Sequence, residues 1–264
     1  MEMNSLIVGN NVEVMTTIPD DSIDMIIFSP PYDEIREYNG YKLDLHSVGR
    51  NAYRVLKNGG MMAVVINDGT KNFGKSLTTY RTILDYCDNI GFKLFENIIY
   101  SRNGRPGAWW NKRFRVDHEY ILLFLKGDRP KYFNKSPLMI DSIHAGKTWH
   151  GTQRLTSGET VKIEKKTQAN KKCRGTIWKY NTSNSEGDRN KLEHPATFPD
   201  KLVEDLIACF TNVGDVVLDP FVGSGTTCLV AERMGRRWAG IDISEKYISL
   251  AQRRMDKLKN ATTT

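Results

Sequence analysis

Cysteine is sparse and scattered in this chain: Cys87, Cys173, Cys209 and Cys228 form no C-x-x-C pair. That argues against structural zinc, so no metal is expected, and it fits a reducing cytoplasm better than a disulfide framework. Long apolar runs are missing too. The longest strongly apolar stretch, Tyr120–Leu125, is far too short to cross a bilayer, so no membrane partner is expected. The opening Met1-Glu2-Met3-Asn4 has neither a basic cluster nor an apolar run, so no secretory leader is expected. Internal repeats are absent. A P-loop is excluded as well, because no Lys follows Gly225 to complete G-x-x-x-x-G-K-[ST].

What remains is the composition of a soluble globular protein, 264 residues with 39% hydrophobic and 26% charged. That length suffices for one well-filled core, or one core with an inserted lobe. The net charge of +7 is concentrated. Between Lys126 and Arg174 stand 12 Lys and Arg against 4 Asp and Glu, so this segment carries the whole excess. Such a local imbalance suits a surface facing a polyanion, although a solvated, loop-rich insertion would look the same.

Apolar patterning predicts strands at 5–8, 23–28, 61–66, 92–100, 119–125, 215–218 and 237–241. Helices are expected at 12–18, 47–56, 79–90, 200–210, 226–234 and 245–259. The unbroken apolar character of 23–28 suits a parallel strand covered on both faces. From Gly127 to about Asn190 the pattern weakens into polar, basic chain with few apolar runs. Strands alternating with helices imply an α/β fold with a doubly wound, mostly parallel sheet. The expected division is 1–127, an inserted region at 128–190, and 191–264.

Two turns stand out. In Phe28-Ser-Pro-Pro-Tyr32 a proline pair ends the buried strand and stiffens the backbone beyond it. In Val216–Ser244 a strand ends at Asp219, a glycine-rich turn follows, a helix starts near Thr226, and a second strand ends at Asp242. Gly223 and Gly225 permit close approach of a ligand to the backbone, the helix start offers N–H groups to an anion, and Asp242 is placed to hold ribose hydroxyls. A dinucleotide fingerprint would need glycine at Cys228. S-adenosylmethionine is the remaining ligand, with a plain strand–helix turn the alternative.

Taken together, Asp219-Pro-Phe-Val-Gly-Ser-Gly-Thr-Thr227 and Ser29-Pro-Pro-Tyr32 resemble the DNA amino-methyltransferases, which methylate the exocyclic amine of cytosine or adenine. Arg54–Gly60, Asp117–Ile121 and His194–Pro199 match in order, over nearly the whole chain except about 128–190. The order is circularly permuted, with S-P-P-Y first and the cofactor turn last, as in the β group. The resemblance implies a Rossmann-like methyltransferase sheet, S-adenosylmethionine as cofactor, double-stranded DNA as partner, and 128–190 as a target-recognition region. It implies a cytoplasmic protein of a prokaryotic cell or phage-infected host, and leaves open a homodimer and a cognate restriction endonuclease.

Carried over position by position, Ser29, Pro30, Pro31 and Tyr32 are the catalytic residues. The Ser29 hydroxyl and Pro30 carbonyl would accept from the target amine, and Tyr32 would stack on the extruded base. Gly223, Ser224, Gly225 and Thr226 would surround the methionine part of the cofactor. Asp219, Pro220 and Phe221 would line its pocket, and Thr197, Phe198 and Pro199 would close over it. Asp242 would bind ribose, Asn10 the adenine in place of the usual acid, and Asp68 would be a pocket residue. Arg105, Trp109, Lys112, Arg113, Lys131, Lys147, Arg154, Lys165 and Lys166 are the expected DNA contacts. Serine at the first motif position favours N4-cytosine over N6-adenine. A catalytically silent DNA-binding protein, or an RNA or small-molecule methyltransferase, on the same fold are the rival readings.

Overall fold

The computed structural model describes residues 2–31, 43–101, 112–114, 116–180 and 199–262. They fall into two compact units: Met1–Asn134 with Thr176–Thr264, and Lys135–Gly175. In chain order the first unit begins with β1 (Ser5–Val8), α1 (Asn11–Thr16), β2 (Ile23–Phe28), α2 (Leu45–Val55), β3 (Leu56–Ile66), the hairpin strands β4 (Thr70–Lys71) and β5 (Gly74–Lys75), and α3 (Thr78–Leu84). A π-helical turn (Asp85–Ile90), β6 (Lys93–Ser101) and β7 (His118–Leu125) follow. The second unit holds β8 (Met139–Asp141), β9 (Thr148–Arg154), β10 (Thr160–Thr167) and β11 (Lys171–Cys173). The chain then returns to the first unit with β12 (Ile177–Lys179), α4 (Asp200–Phe210), β13 (Val216–Asp219), α5 (Thr226–Arg233), β14 (Arg237–Asp242) and α6 (Glu245–Thr262).

The first unit is built on an eight-stranded sheet ordered β1-β14-β13-β2-β3-β7-β6-β12. Every neighbouring pair from β1 to β3 is parallel, β7 runs antiparallel to both β3 and β6, and β12 is parallel to β6. One reversed strand therefore interrupts an otherwise parallel sheet. Because β2 is sandwiched, all six of its residues are buried, each aliphatic side chain contributing roughly 1.5–3 kcal/mol. Alternate side chains sort the core by face. Ile26, Phe28, Met62, Val64, Leu218 and Ile241 pack with Met15 of α1, Val48 and Ala52 of α2, and Tyr86 of the π turn. Helix α4 contacts α5 and α5 contacts α6 as a separate group. The doubly wound expectation is the observed architecture.

The amino-terminal edge of the sheet is tied by a buried carboxylate. Asp24 accepts from Lys57 Nζ at 2.7 Å, Lys131 Nζ at 3.0 Å and the Val216 amide at 2.9 Å, which joins β2 to β13. Burial alone would push this carboxyl up; the three donors outweigh it and hold the pKa below the ordinary value. Lys131, expected among the DNA contacts, is engaged with Asp24 on the edge opposite Ser29.

Several elements differ from the sequence reading. β3 starts directly after α2, so Gly59-Gly60 lies within the strand and does not end the helix. Gly59 has φ +79°, and its carbonyl accepts from Lys131 N at 2.9 Å. The expected helix 79–90 divides into α3 and the π turn. The weak stretch after Gly127 contains strands. In β9 and β10 most described side chains of both faces are exposed, and the period of two is confined to Val161 and Ile163, so the strand signal is weak. No described helix is long and apolar enough to cross a membrane.

Candidate active site

Five parallel strands deliver their carboxyl ends to one edge of the sheet. The residues just beyond or at those ends are Asn10, Asp242, Asp219, Ser29 and Asp68, in the spatial order of the strands. From β2 the chain moves outward to β3, and from β13 it moves outward the other way to β14. The order therefore reverses between β2 and β13, where an open α/β sheet leaves its crevice. Here the two motif turns meet. Val217 and Leu218 pair with Met25 and Ile26, and the rings of Phe28 and Phe221 stack with centroids 5.3 Å apart and planes 27° from parallel. Ser29 is half-buried and Pro30 buried at this corner.

The glycine turn is a shaped cradle. Gly223 and Gly225 have φ +49° and +85°, in the left-handed region that side chains avoid. A Cβ on Gly225 would also lie 2.9 Å from the Ala251 Cβ of α6. No side chain caps α5 at Gly225, so the start of this helix lacks a capping acceptor. Ser224 and Thr226 are buried beside it.

Two residues that sequence reasoning missed fix this turn. Arg254 of α6 donates to the Ser224 carbonyl at 2.6 Å and to Thr226 Oγ1 at 3.4 Å. Asn11 Nδ2 of α1 donates to the Pro220 carbonyl at 3.0 Å. Neither belongs to a motif; in the sequence one looks like a charged helix position and the other like an ordinary helix start.

The acids differ in their surroundings. Asp219 is 2% exposed, and burial, with Asp242 nearby, pushes its pKa up to about 7 against the partial relief of the Phe221 N–H at 2.9 Å. Asp242 is half-buried; burial raises its pKa, while backbone N–H groups oppose that. Its Oδ2 accepts from Gly223 N at 3.0 Å and its Oδ1 from Ser244 N at 2.9 Å. The carboxylate, which the Ile243 N–H also reaches, therefore braces the glycine turn. Asn10 caps α1, its Oδ1 accepting from Val12 N at 2.9 Å. Asp68 is buried at the tip of β3, where Oδ1 accepts from Thr79 N at 2.9 Å and from Ser76 Oγ at 3.5 Å. Locally it serves as a turn residue.

Of the other expected site residues, Pro199 is the buried N-cap of α4. Arg113 donates to the Phe73 carbonyl, and Lys112 is exposed beside it. Lys147, Arg154 and Lys166 are exposed in the second unit, where Arg154 Nε also reaches the Gly158 carbonyl at 3.4 Å. Tyr32, Arg105, Trp109, Thr197 and Phe198 lie outside the described residues, as does the side chain of Lys165. Among the described residues no group of three or more His, Cys, Asp or Glu could hold a metal ion.

Residues 23–253 match the N6/N4 methyltransferase family model described as DNA methylase. The orphan methyltransferase M.BamHII of Bacillus amyloliquefaciens is 34% identical over 242 residues, covering 90% of each chain. The DNA adenine methyltransferase YhdJ of Escherichia coli (strain K12) is 28% identical over 264 residues, covering 97% of this chain and 83% of its own. Among solved structures, the cytosine-N4-specific PvuII DNA methyltransferase superposes with a TM-score of 0.74 at 23% identity, covering 98% of this chain and 91% of its own. The putative DNA modification methylase TTHA0409 of Thermus thermophilus, complexed with S-adenosyl-L-methionine, gives 0.63 at 26% identity, covering 96% and 95%.

Proposed function

We propose, from the premise that the chain belongs to the N6/N4 DNA methylase family, that its crevice transfers a methyl group to the N4 amine of cytosine extruded from double-stranded DNA. Membership makes the protein an S-adenosylmethionine-dependent DNA amino-methyltransferase; the base, the extrusion and the residue roles are the proposal. The observation that carries it is the meeting of the Ser29 and Asp219 corners across β2 and β13, sealed by the Phe28–Phe221 stack.

The residues present fit the cofactor. A carboxylate suits the uncapped start of α5, a ribose suits Asp242, and an adenine edge suits the Asn10 amide. When bound, S-adenosylmethionine supplies an electrophilic methyl group. Gly223, Ser224, Gly225 and Thr226 orient its methionine end, with Asp219, Pro220 and Phe221 as the floor, and Thr197, Phe198 and Pro199 over it. On the other side of the crevice, Ser29 Oγ and the Pro30 carbonyl accept from the target amine. An exocyclic amine is a weak nucleophile because its lone pair is delocalised into the ring. Two acceptors on its N–H groups favour the pyramidal geometry that aims the lone pair at the methyl carbon. The rigid Pro30-Pro31 backbone holds those acceptors in place, so catalysis rests on position and aimed dipoles. Tyr32 stacks on the extruded ring. Lys112, Arg113, Lys147, Arg154 and Lys166 contribute phosphate contacts, and 128–190 reads the site.

Serine at the head of the motif favours cytosine. The second reading, N6-adenine, is supported by the likeness to YhdJ, and both bases offer an NH₂ group. Incubation with labelled cofactor and DNA, RNA or free nucleoside, followed by mass spectrometry of the released nucleosides, tests the proposal. N4-methylcytosine from duplex DNA is expected. N6-methyladenine alone would transfer the assignment to adenine, and label only in RNA would end it.

A further inference from the structure

The hairpin that follows β3 is built against its own turn chemistry. β4 and β5 pair Thr70 with Lys75 and Lys71 with Gly74, which leaves Asn72 and Phe73 as a two-residue turn. Both have positive φ, +49° and +63°. Such a turn normally takes Asn-Gly; here glycine comes one position late, and a phenylalanine occupies the left-handed site. Its side chain is 59% exposed. Leu77, a few residues on, repeats the pattern with φ +61° and 45% exposure. Bulky apolar side chains held outward on unfavourable backbone mark a surface shaped for something other than the stability of the chain.

The place and charge of the hairpin say what it faces. It stands on the sheet edge that carries Ser29, one strand away, since β3 pairs with β2 along Met25–Phe28. From Gly69 to Leu84 the sequence has Lys71, Lys75 and Arg81 and no acid. Arg113 donates to the Phe73 carbonyl from the neighbouring segment, and exposed Lys112 precedes it. An aromatic tip ringed by cations beside a base-modifying crevice matches the charge of a nucleic-acid backbone and the apolar gap between its bases.

We propose that Phe73 is a wedge: it enters the duplex at the target pair and occupies the stack that the extruded base leaves, while the positive charge of the hairpin, whose Lys75 Nζ is anchored on the Asp68 carbonyl at 3.0 Å, favours the flanking phosphates. This rests on the extruded-base reading above and adds to it the residue that stabilises the opened duplex. A ring in the gap replaces part of the lost stacking, so extrusion becomes easier for an intact pair, and the help matters little for a pair already disrupted.

The test uses the full chain and a duplex carrying the recognition sequence, mapped first by long-read detection of modified positions. A second duplex has the target base mispaired. Phe73→Gly gives the turn the residue it prefers, so melting temperature and S-adenosylmethionine affinity should hold or improve. On the intact duplex, affinity and transfer should fall about tenfold or more, the scale of one lost base–aromatic stack. On the mispaired duplex both should return close to the parent values, and Phe73→Trp should retain function on either. Equal loss on both duplexes, or no loss on either, would overturn the wedge while leaving the methyltransferase reading intact. So would a Phe73→Gly protein that changes from dimer to monomer with activity lost in proportion, which would make the tip a contact between copies. Absence of transfer by the parent protein to any duplex would instead defeat the functional reading itself, and the wedge with it.

Discussion

In the proposed reaction a single atom, Ser29 Oγ, carries much of the chemistry. Its hydroxyl sits at the end of a buried, doubly paired strand, so removing the oxygen should leave the corner in place. Ser29→Ala is expected to lower kcat by about 100-fold or more, the usual effect of losing one aimed dipole, with little change in S-adenosylmethionine or DNA affinity by calorimetry. A comparable loss of DNA affinity with turnover retained would assign Ser29 to binding. Asp219 gives a second expectation, with the sign set by burial. Its folded pKa is raised to about 7, above the unfolded value. The folded state therefore holds a proton that the unfolded chain has released, and stability falls as pH rises from the ordinary carboxylate range through about 7. Asp219→Asn should remove that slope and raise the melting temperature of the ligand-free protein above neutrality, by roughly 1–3 kcal/mol in stability terms. Parallel melting curves for the two proteins from pH 4 to 8 would refute the assignment. Ser29 and Asp219 were legible as positions in the sequence because each ends an apolar run and stands beside proline, and Asp242 because it ends the strand that follows the glycine turn. Arg254 and Asn11 were not. Their roles depend on which helices the fold lays against the turn, and a helix pattern carries no record of its neighbours.

Elements constrain the cofactor turn from behind. Gly225 is left-handed and rests on Ala251, so Gly225→Ala meets both strain and a Cβ–Cβ approach of 2.9 Å. A loss of roughly 2–3 kcal/mol is expected, together with weaker cofactor binding. Loss of binding in this variant thus reports the turn's shape as much as a ligand contact. Arg254 separates the two. Its guanidinium fixes the Ser224 carbonyl and so holds the shape of the turn from the α6 side. Arg254→Met should raise the Kd for S-adenosylmethionine about tenfold, the scale of a charge-assisted hydrogen bond, with kcat at saturating cofactor little changed. Arg254→Lys should recover part of the loss. A fall in kcat with unchanged Kd would place the arginine elsewhere in the reaction. At this scale the strands and helices of the main sheet were legible because they are covered and keep their period. The β9–β10 ribbon and the π turn were not, since the apolar repeat of the first is confined to Val161 and Ile163 and the second has no distinct period.

The whole molecule divides its charge as it divides its chain. The stretch from Lys126 to Arg174 holds an excess of eight positive charges in a protein of net +7. Most of it lies in the compact unit Lys135–Gly175, whose β9 and β10 expose residues on both faces. Lys126 is engaged with Asp21 at 2.7 Å and Lys131 with Asp24 at 3.0 Å in the first unit. Those cations stabilise the sheet, which charge counting alone could not reveal. The DNA-facing share is therefore smaller than the sum suggests, and it can be measured. Each phosphate contact contributes about −0.9 to the slope of log affinity against log salt. Changing Lys147, Arg154 and Lys166 together to Gln should make that slope shallower by about 2–3 units, weaken binding to all duplexes alike, and leave S-adenosylmethionine affinity unchanged. Lys131→Gln should instead lower the melting temperature with the salt slope intact, because it removes a donor from the buried Asp24. A salt slope reduced by Lys131→Gln and untouched by the triple variant would invert this partition and place the polyanion on the opposite edge of the sheet, away from Ser29.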